Sequence, residues 1–309
     1  MAASADVVSP ALPAILKKSP EPALDTQLIP KERYLSPEVM RLEWERMWGR
    51  VWLYAGPLTD LSEVGDYFTF EIGPESVLVV RTAPGQVRAM YNVCQHRGRR
   101  LRPEGGGFAN SFRCPYHQWR YDLDGRLISA PDGATDFPQG DPAACGVRIP
   151  QVRCEVFAGL VFVNFDAGAP PLSEYLTRDV IEHLEPYRWA AQFRVNLDWT
   201  VEWPCNWKIG VDSFNEIYHL QGIHPELMDM SDDTPAGCPI DFYGRHSRIL
   251  YRVGVPGPRW DDEMARGRGY RDANQITAGT RMILKAYGLE EKPQWEGRVK
   301  DLRPVLIKA

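Results

Sequence analysis

The sequence predicts an α+β chain: a small antiparallel β domain preceded by one helix, then a region in which helices and antiparallel strands mix. Three observations carry this. From about Val51 to Asn164, short apolar runs are separated by Gly, Pro and Asp, the mark of close-turned antiparallel strands. Past residue 166 the character changes, and runs with helical spacing enter. At 309 residues, 44% hydrophobic and 25% charged, the chain is long enough for one large or two medium domains with cores of their own. The expected division is a flexible tail over 1–30, the helix and β domain over 31–170, and the mixed region over 171–309.

The first 25 residues are rich in Ala, Pro and Ser and place no basic residue ahead of an apolar core, so they read as a tail and not as a secretory signal. Ser36 followed by Pro37 is an N-cap with proline at N1, and Gly49 is a natural stop, so a helix is expected between them. Met40, Trp44, Met47 and Trp48 give it one apolar face to bury. Strands are then expected at 66–72, 76–81, 87–93, 120–127, 152–157 and 160–165, with Asp124-Gly125 as a hairpin turn. The run DAGAPPL (166–172) reads as a boundary. A helix is expected over 176–187, a strand over 193–203, a helix from about Asn206 to Gln221, a strand over 247–255, and a glycine-interrupted helix from Asp261 to Tyr287.

Charge excludes some partners. Thirty-six basic and 41 acidic residues are interleaved for a net charge of −5, which gives no reason to expect nucleic acid or an anionic membrane. No apolar run approaches the roughly 18–20 residues of a membrane span, and the cytoplasm is the expected compartment. The six cysteines (94, 114, 145, 154, 205 and 238) lack the signal peptide that would favour a disulfide framework, so metal ligation is the better reading where histidines stand nearby.

Two cysteines have such neighbours. CQHRGRR supplies Cys94 and His96; CPYHQWR supplies Cys114 and His117. Two short segments that each offer one thiolate and one imidazole can hold a tetrahedral zinc or a two-iron cluster. Zinc sites more often pair C-x2-4-C with H-x3-5-H, so alternation of Cys and His within both segments favours the cluster. Gly98, Gly105, Gly106 and Gly107 would permit close backbone approach, and Tyr116 and Trp119 would shield the sulfurs.

A second group lies in NWKIGVDSFNEIYHLQGIHPEL (206–227). On one continuous helix, Asp212, Glu216 and His219 share a face at i, i+4 and i+7. His224 lies five residues past His219, about 140° further round, but Gly222 and Pro225 suggest an ending that swings it back. Two converging imidazoles suit Fe, Zn, Cu or Ni; with one carboxylate they make an O₂-binding ferrous site.

Together the two motifs resemble the Rieske non-haem iron oxygenases, the large (α) subunits of aromatic-ring-hydroxylating and related oxygenases. The resemblance implies a Rieske domain holding a [2Fe–2S] cluster on Cys94, His96, Cys114 and His117. It implies a helix-grip catalytic domain, an antiparallel sheet plus helices, holding mononuclear Fe(II) on His219 and His224. Glu216 stands where the family has an acid, usually Asp, that bridges the iron to a Rieske histidine, and Asp212 would support the histidines. The third iron ligand, a carboxylate from a late helix after the sheet, is not identifiable, although Asp232, Asp233, Asp241, Asp261, Asp262, Asp272, Glu290, Glu291, Glu296 and Asp301 are available. The catalytic domain is therefore expected to be incomplete, with the sequence truncated at its C-terminus. Implied partners are a separate NAD(P)H-dependent reductase, with or without a ferredoxin, a small organic substrate and O₂, in a homotrimer or larger assembly. A Rieske electron carrier, an inactive fragment and a zinc-stabilised binding module are the alternatives.

Overall fold

A computed structural model describes residues 28–187, 200–224, 227, 231–234, 237–250 and 258. Their contacts divide into two compact units: 35–187 with 200–202 in the first, and 28–34 with the described residues from 203 onward in the second.

The short α1 (Glu32–Leu35) straddles the division in sequence, and α2 (Pro37–Glu43) follows it in the first unit. Ser36 caps α2 as expected, but the helix does not run on regularly: Trp44–Trp48 form a π-helical turn. The wider turn spreads the expected apolar stripe, and Trp44, Met47 and Trp48 are half-buried while Met40 stays exposed.

Ten strands follow: β1 (Leu53–Pro57), β2 (Asp66–Ile72), β3 (Glu75–Ala83), β4 (Gln86–Tyr91), β5 (Gly106–Phe108), β6 (Phe112–Arg113), β7 (Arg120–Tyr121), β8 (Leu127–Ser129), β9 (Gln151–Phe157) and β10 (Leu160–Asn164). Seven form one antiparallel sheet in the order β1-β10-β9-β4-β3-β2-β5, and β6, β7 and β8 form a second. Two-residue turns join β2 to β3, β3 to β4 and β9 to β10, and at the last of these Ala158 and Gly159 both take positive φ, the twist a tight hairpin needs. The run expected as one strand over 120–127 is instead β7, a turn and the start of β8. Gly125 lies in that turn at φ +81°, where a Cβ would meet the Met90 sulfur at 2.7 Å.

β3 explains why this sheet has a core on each face. Val77, Val79, Leu78 and Val80 are all fully buried, so alternation sends Val77 and Val79 to one side and Leu78 and Val80 to the other. The first pair packs with Leu61, Phe68, Ala89, Val152, Val161 and Val163. The second packs with Met90, Phe112, Tyr121, Leu127 and Ile149, and that core also contains Cys94 and Cys114. A third cluster forms where α4 (Leu172–Leu184, interrupted at Thr177) sets Leu172 and Leu176 against Trp52. α3 (Gly133–Asp136) lies between β8 and β9.

In the second unit α5 spans Trp207–Phe214, α6 spans Leu220–Ile223, and β11 (Ile240–Tyr243) pairs antiparallel with β12 (His246–Ile249). The Arg248 guanidinium pairs with the buried Asp241 at 2.5 Å across this hairpin. One expectation changes here. The helix expected to reach Gln221 stops at Phe214, because the Asn215 side-chain amide donates to the Val211 carbonyl at 2.9 Å and closes the last turn. The strand expected at 193–203 and the helix expected at 261–287 fall wholly or mostly outside the described residues, and residues 200–203 form no strand. Among the described residues, no helix is long and apolar enough to cross a membrane.

Candidate metal centres

The Cys/His pairs sit on two loops of the same build. In the first, the Gly98 amide donates to the Cys94 carbonyl at 3.0 Å and the Cys94 amide to the Arg99 carbonyl at 2.8 Å. In the second, Gln118 donates to Cys114 at 3.1 Å and Cys114 to Trp119 at 2.8 Å. Each loop therefore turns back on its cysteine, with a left-handed residue at the fifth position: Gly98 at φ +68° and Gln118 at φ +60°. Glycine reaches that conformation freely; glutamine does not. The repeat lays one cysteine inward and one histidine outward twice over. Cys94 and Cys114 are 2% and 1% exposed, whereas His96 and His117 are half-buried.

The first loop is anchored by Asn92, a residue the motif does not announce. It is 3% exposed and fully bonded: its amide nitrogen donates to Ser76 Oγ at 3.0 Å and the Arg102 carbonyl at 2.8 Å. Its oxygen accepts from the Leu101 and Arg102 amides at 3.2 and 2.9 Å. Both ends of the loop are thereby tied to β3.

Two aromatic rings lie against the histidines. Trp119 stacks on His96 with centroids 4.8 Å apart and planes 11° apart, and Tyr116 lies 3.8 Å from His117. Trp119 also belongs to the buried core that contains Cys94 and Cys114. The residue at a sulfur is Tyr121, fully buried, whose hydroxyl stands 3.3 Å from Cys94 Sγ and accepts from the Gln95 amide at 3.0 Å. Buried tyrosine hydroxyls need partners, and β7 alternation turns Tyr121 inward; the sequence read only a strand there. Gly105, Gly106 and Gly107 form no cradle. Gly106 and Gly107 belong to β5, paired on β2, and nothing lies near a Cβ at Gly105. Arg97, Gly98, Arg99, Pro115 and Tyr116 line an open cavity of about 460 Å³ between the loop tips.

Whether these residues fit a metal centre is tested by an orphan. His96 Nδ1 is buried and has no hydrogen-bond partner, a costly state for an imidazole nitrogen unless a metal takes its lone pair. Burial also pushes the Cys94 thiol above its usual range and the His96 imidazole below, the second favouring the neutral form that ligates. The rings of His96 and His117 lie 4.6 Å apart. Among the described residues, no three His, Cys, Asp or Glu side chains converge on a single point. A two-iron cluster asks for donors in pairs, one pair per iron, and the loops supply two pairs.

The second constellation is built on a break instead of a helix. Past Phe214 the Glu216 carboxylate accepts from the His219 amide at 3.2 Å and from its ring Nδ1 at 2.5 Å. A carboxylate can only accept here, so Nδ1 carries a proton, and in the neutral imidazole Nε2 is then the nitrogen whose lone pair a metal would take. Burial pushes the Glu216 carboxyl upward, but the bonds from His219 outweigh it and the net shift is downward. One helical turn, α6, separates the two histidines. His224 ends it with non-helical backbone, and the rings lie 5.5 Å apart. Ile217 and Leu220, on either side of His219, are buried with Cys238. The shared helix face expected for Asp212, Glu216 and His219 does not exist. Asp212 lies on α5 and accepts from the Tyr34 hydroxyl at 2.8 Å. Of the acids weighed as a third ligand, Asp241 is paired with Arg248 and Asp232 caps Thr234; positions 261–301 lie outside the described residues.

Comparison with known proteins finds the Rieske [2Fe-2S] domain over residues 51–149 and the ring-hydroxylating alpha subunit catalytic domain over 190–285. The biphenyl 2,3-dioxygenase subunit alpha of Rhodococcus jostii (strain RHA1) is 32% identical over 271 residues, covering 80% of this chain and 58% of that protein. The glycine betaine monooxygenase oxygenase subunit of Pseudomonas aeruginosa (strain UCBPP-PA14) is 34% identical over 202 residues, covering 65% and 45%. Among solved structures, the quaternary ammonium Rieske monooxygenase CntA with a bound inhibitor superposes with a TM-score of 0.61 at 27% identity, covering 69% of this chain and 61% of that one. The chain thus spans between 45% and 61% of the length of these relatives.

Proposed function

Because the chain belongs to the Rieske non-haem iron oxygenases, we propose that it serves as the oxygenase component of a system that hydroxylates or demethylates a small organic substrate with O₂. The observation that carries this reading is the pair of like loops, two cysteines turned inward and two histidines outward, with His96 Nδ1 buried and unpartnered. Cys94, His96, Cys114 and His117 would hold the [2Fe–2S] cluster, and His219 and His224 the mononuclear Fe(II). When bound, the cluster stores one electron at a raised potential and the ferrous ion activates O₂.

The protein's own side chains do the rest. Burial of Cys94 and Cys114 keeps water from the sulfurs, and the Tyr121 hydroxyl, 3.3 Å from Cys94 Sγ, would donate to that sulfur once it is a ligating thiolate, which can only accept. Trp119 stacks flat on the His96 imidazole, and Tyr116 lies tilted against the His117 ring, so each histidine is held by an aromatic neighbour. Glu216 fixes the His219 tautomer, and its side chain, bonded to His219 through both oxygens yet 41% exposed, stays accessible to a neighbouring subunit's cluster histidine in a trimer or larger assembly. Electrons would come from a separate NAD(P)H-dependent reductase, directly or through a ferredoxin. The substrate divides between arenes and quaternary amines, since relatives named for both match. Glu216 in place of the family's usual aspartate, with the HPEL run after α6, favours the second class.

The test is the anaerobically reconstituted protein assayed for iron, for the electron paramagnetic resonance of its reduced cluster, and for O₂ uptake on adding glycine betaine or biphenyl. The reading expects cluster iron plus one mononuclear iron, and uptake that depends on substrate. A cluster signal with no mononuclear iron and no uptake would mark an electron carrier; zinc without iron would mark a binding module.

A further inference from the structure

We propose that Tyr34, far from the motif in sequence, is a positioning residue for the turn that carries His219 and His224; the proposal rests on reading those histidines as iron ligands. Tyr34 grips α5 at both ends. At the first turn Asn206, the N-cap, accepts from the Lys208 amide at 3.1 Å with its side-chain oxygen and donates to the Tyr34 carbonyl at 3.0 Å with its nitrogen. The Lys208 ammonium, on a residue 7% exposed, lies 5.8 Å from the centre of the Tyr34 ring. At the last turn the Tyr34 hydroxyl donates to Asp212 Oδ2 at 2.8 Å. α5 has only eight residues, or roughly two turns, so a contact at each end fixes its direction. Glu216 follows its C-cap, Asn215, directly, and the Glu216–His219 contact starts from wherever α5 ends. Asp212 therefore acts through Tyr34 and the helix, and not on a histidine ring.

The test uses the full-length protein with its cluster in place and the variants Tyr34→Phe, Asp212→Ala, Asp212→Asn and Tyr34→Phe with Asp212→Ala. Two readouts are taken: anaerobic Fe(II) titration of the mononuclear site, and hydrogen exchange over residues 207–224 before that iron is added. Tyr34→Phe and Asp212→Ala should each weaken Fe(II) binding about tenfold, the lower range for an outer partner of a metal ligand, and speed exchange over 216–224. The double variant should be no worse than either single one, because both remove the same bond. Asp212→Asn, which keeps an acceptor for the hydroxyl, should restore both readouts, and the visible spectrum of the cluster should not change. Losses that multiply in the double variant would overturn the proposal by giving Asp212 a role of its own, as would a Tyr34→Phe protein matching wild type in both readouts. A wild-type protein that takes up no mononuclear iron would instead overturn the iron reading, and the exchange data would then decide the clasp alone.

Discussion

The sulfur of Cys94 meets one hydroxyl, and that contact bears on what the centre would do. Reduction adds electron density to the cluster and its thiolates, so a donor to sulfur stabilises the reduced form more than the oxidised one. Tyr121→Phe removes the donor while leaving the ring in its core, and the midpoint potential should fall on the order of tens of millivolts, the size of a modest charge-assisted hydrogen bond. Redox titration of the visible spectrum measures it, and an unchanged or raised potential would show that the hydroxyl does not donate to the sulfur. A second residue in the same pair of loops points the other way. Gln118 occupies at φ +60° the place that Gly98 occupies in the sister loop. A left-handed conformation costs a non-glycine residue about 1–2 kcal/mol, of which glycine's greater freedom in the unfolded state returns part. Gln118→Gly should therefore stabilise the protein by up to about 1 kcal/mol in denaturant unfolding; destabilisation would mean that the amide contributes more than its backbone costs. The Cys/His spacing was legible in the sequence because ligands are identified by type and interval. Tyr121 and Asn92 were not, because their roles come from burial and hydrogen bonding that no interval reveals.

Among the elements, what could be read was what the sheet buries. β2, β3, β4, β9 and β10 carry apolar runs, and each lies where expected to within a few residues. β5 is exposed at all three positions and is a strand only because β2 pairs with it, while β1 contains Gly56 and Pro57 at an edge. Helical spacing in the sequence continues past Phe214, but one side-chain bond from Asn215 ends α5 there. The loop 94–101 gives the sharpest test at this scale. Asn92 is its only buried side-chain tie to both Ser76 and Arg102 among the described residues. Asn92→Ala leaves the Leu101 and Arg102 amides without their acceptor, and each buried group so stranded costs about 1–3 kcal/mol. The variant should lose roughly 2–5 kcal/mol by denaturant unfolding and fail to retain a cluster, as judged by visible absorption after gel filtration. Retention of a wild-type spectrum would show that the loop holds its shape without Asn92.

On the scale of the whole molecule, the two candidate centres differ in how they are built, and this separates their failures. Cys94 and Cys114 are part of the packed core of the first unit, so the cluster and that unit's fold are linked: any group that binds only the folded form adds to its stability. His219 and His224 lie in the second unit on a single short turn, held by Glu216 and a small cluster around Ile217, Leu220 and Cys238. The contacts described for that turn all lie within the second unit and none draws on the packed core around the cysteines. Loading should therefore be independent while turnover is joint. Cys94→Ser should abolish the cluster's absorption and lower the thermal midpoint of the protein, yet leave Fe(II) binding within about threefold of wild type, a difference of ~0.7 kcal/mol. His219→Ala should leave the cluster and its potential intact and abolish mononuclear iron binding. Under the proposed function, reductase-driven, substrate-dependent O₂ uptake should vanish in both, because that reading needs the electron store and the O₂ site together. Substrate oxidation by the His219→Ala protein would remove the iron from the reaction, and loss of Fe(II) binding in the Cys94→Ser protein would show that the second unit needs the first in order to form its site.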